Sequence, residues 1–367
     1  GYSQRPGYDY EETYSPVARI ESIRTVVAMA TEHNWELLLY DVKTAFLNAP
    51  VEPGRTLYVK QPPRFKQIGP QGEPLGPDVI IVVWVGDCVV TGAVQAKIRQ
   101  VERSLKARFD IEDLGTATYL LGMHVSHDRS AHTPNLSQTK YAGDILKRFN
   151  MHNCNGSSTP GDFSNMTLKL DPVEAEDTHT YREMVGSPLF LARCTRPDIA
   201  YPVMKLSRAM QAPGKPHMGA VKRVLRYIKA TQEMGICYMG GPEVPSKGAP
   251  GLNLEGWVDA DHVGELDERR STAGYIFFLA GGPISWTSKL QAITAQSSTE
   301  AEYIALAYAA KETIHLRHLL ETLRTTQDKA TTLLEDNSGA ETLVKTGSFH
   351  PRTKHIGTRY HLTRQLV

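Results

Sequence analysis

Three acidic residues in the last third of the chain sit where carboxylates could share a metal. Asp259 is read at the end of a strand, Asp336 at the end of a later strand just before a helix, and Glu300 in the first turn of a long helix. In an open sheet with helices on its faces, strand ends at one edge converge on a crevice, so two aspartates from neighbouring strands can meet there. A helix-borne glutamate across the crevice would supply a third carboxylate. All-oxygen ligands of this kind suit hard cations such as Mg²⁺ or Mn²⁺, and a cation pair can activate water against a phosphodiester. Structural readings stand beside this one. Ser297-x-x-Glu300 and Thr299-x-x-Glu302 both match a capping box. Asp336 before Asn337-Ser338 matches a helix N-cap, and Asp259 and Asp261 match surface turn residues.

A second acidic pair lies near the start. Asp41, at the end of a strand, is followed by a tight apolar turn, and Asp87 lies close behind the apolar run Val79–Val85. Basic residues gather on two helices. Lys222, Arg223, Arg226 and Lys229 recur at helical spacing on one, and Lys97, Arg99, Arg103, Lys106 and Arg108 form a looser cluster on the other. Solvated surface and phosphate-backbone contact are both open readings of such faces.

The elements that must position these groups fall into three blocks: 1–128, 129–245 and 250–367. The spacing predicts a helix over Val17–Ala30, strands over Leu37–Val42 and Val79–Val85, and a helix over Val94–Phe109. Gly69–Pro77 reads as a turn-rich linker. The middle block is expected to be mainly helical, over Lys140–Phe149, Tyr181–Arg193, Pro197–Met210 and His217–Thr231, with Pro197 and Pro216 at first-turn positions. In the third block the predicted order is strand (Leu252–Asp259), hairpin (Ala273–Leu279 and Pro283–Ser288), helix (about Glu300–Leu323), strand (Thr331–Glu335) and short helix (Gly339–Lys345). The fold class is therefore multi-domain α+β and α/β.

Composition limits the alternatives. With 367 residues, 41% hydrophobic and 22% charged, the chain has ordinary globular composition and room for two or three units. Its net charge of +1 gives no bulk attraction for nucleic acid, so binding would rest on local basic faces. Four cysteines without a CxxC pair disfavour a zinc site or a disulfide framework. No apolar run approaches the ~20 residues needed to span a bilayer, and no signal peptide is read at the polar start. The chain opens on Gly1 and stops at Leu366–Val367, and both ends are read as cut from a longer polypeptide.

Read together, the motifs resemble one family. Trp257-Val-Asp-Ala-Asp261, Arg269–Phe278, Ile284-Ser-Trp-Thr-Ser-Lys289, Ser297-Ser-Thr-Glu-Ala-Glu-Tyr-Ile-Ala-Leu306, Glu335-Asp-Asn-Ser338 and Arg352-Thr-Lys-His-Ile356 are similar to the ribonuclease H signature of copia-type LTR-retrotransposon Pol polyproteins. The resemblance implies a C-terminal ribonuclease H-like mixed sheet with flanking helices and Mg²⁺-dependent cleavage of RNA in RNA–DNA hybrids. It assigns Asp259, Glu300 and Asp336 as metal ligands, with Asp261 and Glu302 in support. Gly357 stands where the family has an acidic residue, which implies a weakened metal site. His355 is open as a proton carrier or a surface residue, and Arg352, Lys354 and His355 as part of a hybrid-binding tail.

Upstream, Tyr14–Arg24, Asp41-Val-Lys-Thr-Ala-Phe-Leu-Asn48 and Tyr58-Val-Lys-Gln-Pro-Pro63 resemble the family's reverse transcriptase fingers and palm. On that reading Asp41 is a catalytic metal ligand and Phe46 the gate that tests the nucleotide sugar. Trp84-Val-Gly-Asp87 takes the place of Tyr-Val-Asp-Asp, so Gly86 replaces the first aspartate while Asp87 remains. Only Lys66–Asp78 occupies the place of the template-gripping segment, which implies a shortened palm and a vestigial polymerase. Leu114–Met123, Ser137–Tyr141, Tyr181–Ser187, Thr195–Tyr201 and Ala220–Lys229 resemble the thumb and connection. The functional expectation is a hybrid-cutting nuclease; the alternative is an inactive nucleic-acid-binding remnant. A retroelement particle in the cytoplasm, or the nucleus, is the expected location.

Overall fold

The computed structural model describes residues 18–43, 79–128, 133–161, 163, 167, 175–240, 252–262 and 269–346. Phe46, the Gly69–Pro77 linker, Arg352, Lys354, His355 and Gly357 lie outside the described residues. The chain divides into two compact units, Gly1–Ala117 and Thr118–Val367, so the second and third sequence blocks share a unit.

In the first unit, helix α1 (Ile20–Glu32) follows from apolar residues at helical spacing, with Ile20, Ile23, Val27 and Ala30 all buried. Strands β1 (Leu38–Val42), β2 (Ile80–Trp84), β3 (Asp87–Thr91) and β4 (Ile111–Thr116) form a sheet in the order β2-β3-β1-β4. Helix α2 (Gln95–Arg108) buries only Ile98 among its own residues. That residue joins Tyr40, Cys88 and Val90 in a small core. The β2 strand alternates, so Ile80 and Val82 are buried while Ile81 and Val83 are exposed at the sheet's edge.

The second unit contains two sheets. The first, β5 (Tyr119–Leu120), β6 (Met123–Asp128), β7 (Thr133–Ser137) and β8 (Gly235–Cys237), is antiparallel throughout. Beside it pack α3 (Thr139–Arg148), α4 (Ala175–Cys194), α5 (Ala200–Ser207) and α6 (Lys215–Ala230), with a 3-10 turn at Pro197–Ile199. Their shared core includes Leu146, Tyr181, Val203, Val224 and Ile228. Pro197 and Pro216 take first-turn positions as predicted. The middle of the chain is thus less purely helical than its periodicity implies, because β5–β8 are short and β8 pairs with β7 from about a hundred residues away.

The last sheet is β9 (Glu255–Asp261), β10 (Thr272–Leu279), β11 (Gly282–Leu290) and β12 (Thr332–Leu334), in the order β11-β10-β9-β12. Only β12 runs parallel to its neighbour, and the long crossover between them contains α7 (Ser298–Thr322). Helix α7 packs across β9 and β10, and α8 (Ser338–Thr346) packs on α7. Alanines 301, 305, 307, 309 and 310 are buried along α7, and small side chains let the helix lie close to the sheet. Gly256 serves the same closeness: a Cβ there would fall 2.7 Å from Phe277 and 2.8 Å from Leu333. Met239 N–H, just past β8, donates to Ala280 O (2.8 Å) and ties the two sheets together, while Trp286 Nε1 of β11 donates to Ala192 O of α4 (2.8 Å). Among the described residues, no helix is long and apolar enough to cross a membrane.

Candidate metal centre

Strand β9 alternates strictly, burying Gly256, Val258 and Ala260 and exposing Trp257, Asp259 and Asp261. It runs two residues beyond Asp259, which is therefore within the strand rather than at its end. The parallel register pairs Leu334 with Trp257. Carried two residues further along both chains, it brings Asp336, just past β12, level with Asp259. The third carboxylate comes from α7. Side-chain oxygens of Asp259, Glu302 and Asp336 all lie within 4.8 Å of one another.

Glu300 is elsewhere. Residues two apart on an α-helix point about 200° apart, so Glu300 and Glu302 cannot serve the same crevice. Glu300 instead completes the helix N-terminus. Its N–H donates to Ser297 Oγ (3.2 Å), and its own Oε2 accepts from Gln296 N–H (2.7 Å). This is the capping reading that Ser297-x-x-Glu300 allowed. The N-cap of α8 is likewise Asn337, whose Oδ1 accepts from Ala340 N–H (3.0 Å), which leaves Asp336 free of that role. Asp261 is exposed on the same strand face as Asp259.

Glu302 is 6% exposed, and its Oε2 is buried with no hydrogen-bond partner. Burial, then the neighbouring Glu335, Asp259 and Asp336, pushes its carboxyl up to about 8. Glu335 is raised too, chiefly by burial, with the Asn337 N–H pulling the other way. A buried carboxyl among other carboxylates is costly when ionised, so Glu302 either keeps a proton, which Glu335 can share, or is accompanied by a cation. An all-carboxylate donor set therefore fits a hard divalent ion. Asp259 and Asp336 open into a groove of about 640 Å³ floored by Trp257, Tyr275 and Trp286 and flanked by Pro197 and Tyr201; no Lys or Arg is among its described lining residues.

The other acidic pair is differently built. Asp41 and Asp87 are direct partners in the antiparallel ladder of β1 and β3. Burial, then Asp41, raises Asp87. Gly86 lies in the two-residue β2–β3 turn, where Val85 has φ +56°, a region disfavoured for β-branched residues. Gly86 adds no side-chain oxygen. Among the described residues, the Asp41–Asp87 pair gains no third metal-ligating side chain within the spacing found at Asp259.

The basic face of α6 splits by role. Arg226 Nε donates to Asn155 O (2.8 Å) and Arg223 to Thr159 Oγ1 (3.0 Å), so both hold down the 155–159 connection. Lys222 is exposed. Lys229 turns to a groove of about 720 Å³ with Lys140, Lys147, His124, His152 and Tyr119. Sequence spacing did not join these residues to Lys229, because they come from β5, β6, α3 and the turn beyond it. On α2, Arg99, Arg103, Lys106 and Arg108 are exposed, and Lys106 pairs with Glu102 and Asp113.

Comparison with known proteins adds ancestry to this geometry. The family described as reverse transcriptase (RNA-dependent DNA polymerase) matches residues 1–75 and 71–162, two segments that meet in the Gly/Pro-rich stretch before β2. The retrovirus-related Pol polyprotein from transposon TNT 1-94 of Nicotiana tabacum is 34% identical over 418 aligned positions, covering 100% of this chain and 31% of its own length. That from transposon RE1 of Arabidopsis thaliana is 33% identical over 100% of the chain and 27% of its own length. An uncharacterized mitochondrial protein of Arabidopsis thaliana is 34% identical over 63% of this chain and 92% of its own length. The chain thus spans about a third or less of the Pol polyproteins it matches. It belongs to the copia-type LTR-retrotransposon Pol polyproteins and is a reverse-transcriptase-like segment of that family.

Proposed function

We propose that this chain cleaves the RNA strand of RNA–DNA hybrids at the Asp259–Glu302–Asp336 centre, as a ribonuclease H. One observation supports this above the rest: three carboxylates distant in sequence have oxygens within 4.8 Å of one another beside an open groove. A divalent cation, Mg²⁺ or Mn²⁺, would supply Lewis-acid stabilisation of the charge that develops on the phosphodiester. Asp259 presents its oxygens from within β9 and Asp336 from just past β12, and Glu302 closes the set from α7. Glu300 contributes by fixing the first turn of that helix, and so the depth at which Glu302 stands. Trp257, Tyr275 and Trp286 offer flat apolar surface to the sugar and base portions of a nucleic acid. Lys222, Lys229, Lys140 and Lys147 offer sequence-independent contacts to its phosphates.

In the same reading, polymerase activity is lost. Gly86 removes one carboxylate beside Asp41, and charge on an incoming triphosphate is then poorly neutralised. The split family match, and an alignment of 418 positions against 367 residues, favour a shortened palm. Cleavage of a labelled RNA–DNA hybrid in Mg²⁺, with Asp336→Asn as control, tests the proposal. Equal background from both proteins would leave a nucleic-acid-binding remnant as the better account.

A further inference from the structure

We propose that Gly274 is a substrate-positioning residue beside the metal centre: its missing side chain leaves a seat for a sugar–phosphate backbone, walled on the far side by α5. The inference deepens the hydrolytic reading above and rests on it. Glycine in a strand interior packs nothing and loses much conformational freedom on folding, so it marks a bulge, a bend or the close approach of another group. Two glycines of the last sheet differ in this respect. Gly256 lies on the buried face of β9, and the space its Cβ would need is taken by Phe277 at 2.7 Å and Leu333 at 2.8 Å. Gly274 stands within β10 without a positive φ. A Cβ there would meet nothing nearer than Thr287 O at 3.7 Å and Asp259 O at 3.9 Å, both ordinary contacts. Neither packing nor backbone conformation requires glycine at 274.

The register supplies the reason. Gly274 pairs with Asp259 on one side and with Ser288 on the other. Directly opposed residues share a face of a sheet, so the bare position lies on the outer face between the Asp259 carboxylate and the Ser288 hydroxyl. All three line the groove. Strands are ~4.8 Å apart, so the floor from Asp259 to Ser288 runs about 10 Å, and a side chain at 274 would stand in its path. The next row of the same face, Trp257, Ile276 and Trp286, is large and forms one side of this channel. Its far wall is Pro197, Ala200 and Tyr201, from outside the elements that carry the carboxylates. Helix α5 packs on β11, and the Trp286 indole donating to Ala192 O fastens the helical block to the same strand. With no Lys or Arg among the described lining residues, the seat selects a backbone by shape, with the Ser288 hydroxyl able to donate or accept.

Steady-state cleavage of a labelled RNA–DNA hybrid in Mg²⁺ by the full chain, read beside thermal melting, tests this. Gly274→Ala and Gly274→Val place a side chain where the protein has room for it, so Gly274→Ala should melt at or above the wild-type temperature. KM is expected to rise by about 10-fold or more in Gly274→Val and less in Gly274→Ala, with kcat changed far less. Tyr201→Ala should raise KM as well, and Tyr201→Phe should restore it. A KM for Gly274→Val within about twofold of wild type overturns the proposal. So does a lowered melting temperature in Gly274→Ala, which would mean that packing demands the glycine. Should Gly274→Val fail to fold, the KM of Gly274→Ala decides. Wild-type cleavage no faster than that of Asp336→Asn removes the parent reading instead, and hybrid affinity by fluorescence anisotropy then decides on the seat. Weaker binding by Gly274→Ala supports it, and equal affinity, or no binding by either protein, overturns it.

Discussion

Asp41 and Asp87 face each other across an antiparallel ladder, while Asp259, Glu302 and Asp336 come from a strand, a helix and a turn. As motifs in the sequence, the first is an acidic pair with Gly86 in place of one aspartate, and the second is three carboxylates in order on strand, helix and strand. The first places two carboxylates on neighbouring strands of one sheet and adds a glycine where a third oxygen donor would help. The second gathers three carboxylates on three separate elements and seals one oxygen of Glu302 without a partner. Convergence from independent elements, rather than acidity, is what distinguishes them. Cross-strand neighbours arise from register alone, whereas an ionised helix glutamate buried against Asp259 in β9 and Asp336 past β12 raises the energy of the ion-free protein.

The contrast can be broken most sharply at the second site. Asp259→Asn, Glu302→Gln and Asp336→Asn should each lower Mg²⁺-dependent hybrid cleavage by about 100-fold or more, since charge stabilisation there is worth several kcal/mol. Single-turnover rates at saturating Mg²⁺ check this, and wild-type-like rates in any of the three would dissolve the distinction. Next comes pH. The Glu302 carboxyl is raised from 4.5 to about 8 in the ion-free protein, so its protonated form is favoured by folding. Stability should be highest below pH ~4.5 with respect to this group and fall as pH rises through about 8. Melting temperatures without metal should therefore drop by several degrees over that range, with Glu302→Gln flattening the fall and added Mn²⁺ reversing it.

Smaller effects sharpen the same comparison. Glu300→Gln should cost about 1 kcal/mol of stability through the weakened cap while cleavage stays within a few-fold of wild type. A loss as large as that of Glu302→Gln would mean that Glu300 touches the reacting centre. Lys222→Ala should reduce the slope of hybrid affinity against salt by about one unit, uniformly across sequences, in binding titrations at several NaCl concentrations. At the far end, Asp41→Asn should change nothing measurable, because primer extension is expected to be absent already. Extension that this substitution abolishes would restore the palm as an active site.

Much of the architecture is legible in the amino-acid sequence. Helices α1, α2, α3 and α6 and the order of elements from β9 to α8 follow apolar periodicity and turn residues closely. Strands β4 to β8 escape that reading, since they are short, mixed in polarity and stabilised by partners remote in the chain. The basic face of α6 is visible as spacing. That Arg223 and Arg226 secure the 155–159 connection while Lys229 joins Lys140 and Lys147 is not.

By itself, the sequence determined the family, the alternation that leaves Asp259 on the outer face of β9, and the capping signal Ser297-x-x-Glu300. Only the tertiary structure decided which glutamate joins the aspartates, because Thr299-x-x-Glu302 carries an equally good local signature. The choice depends on how α7 is rotated over β9 and β10, set by its buried alanines and by Ser297 at its N-cap. A rotation of half a turn separates a helix cap from a metal ligand, and no local pattern of residues encodes that angle.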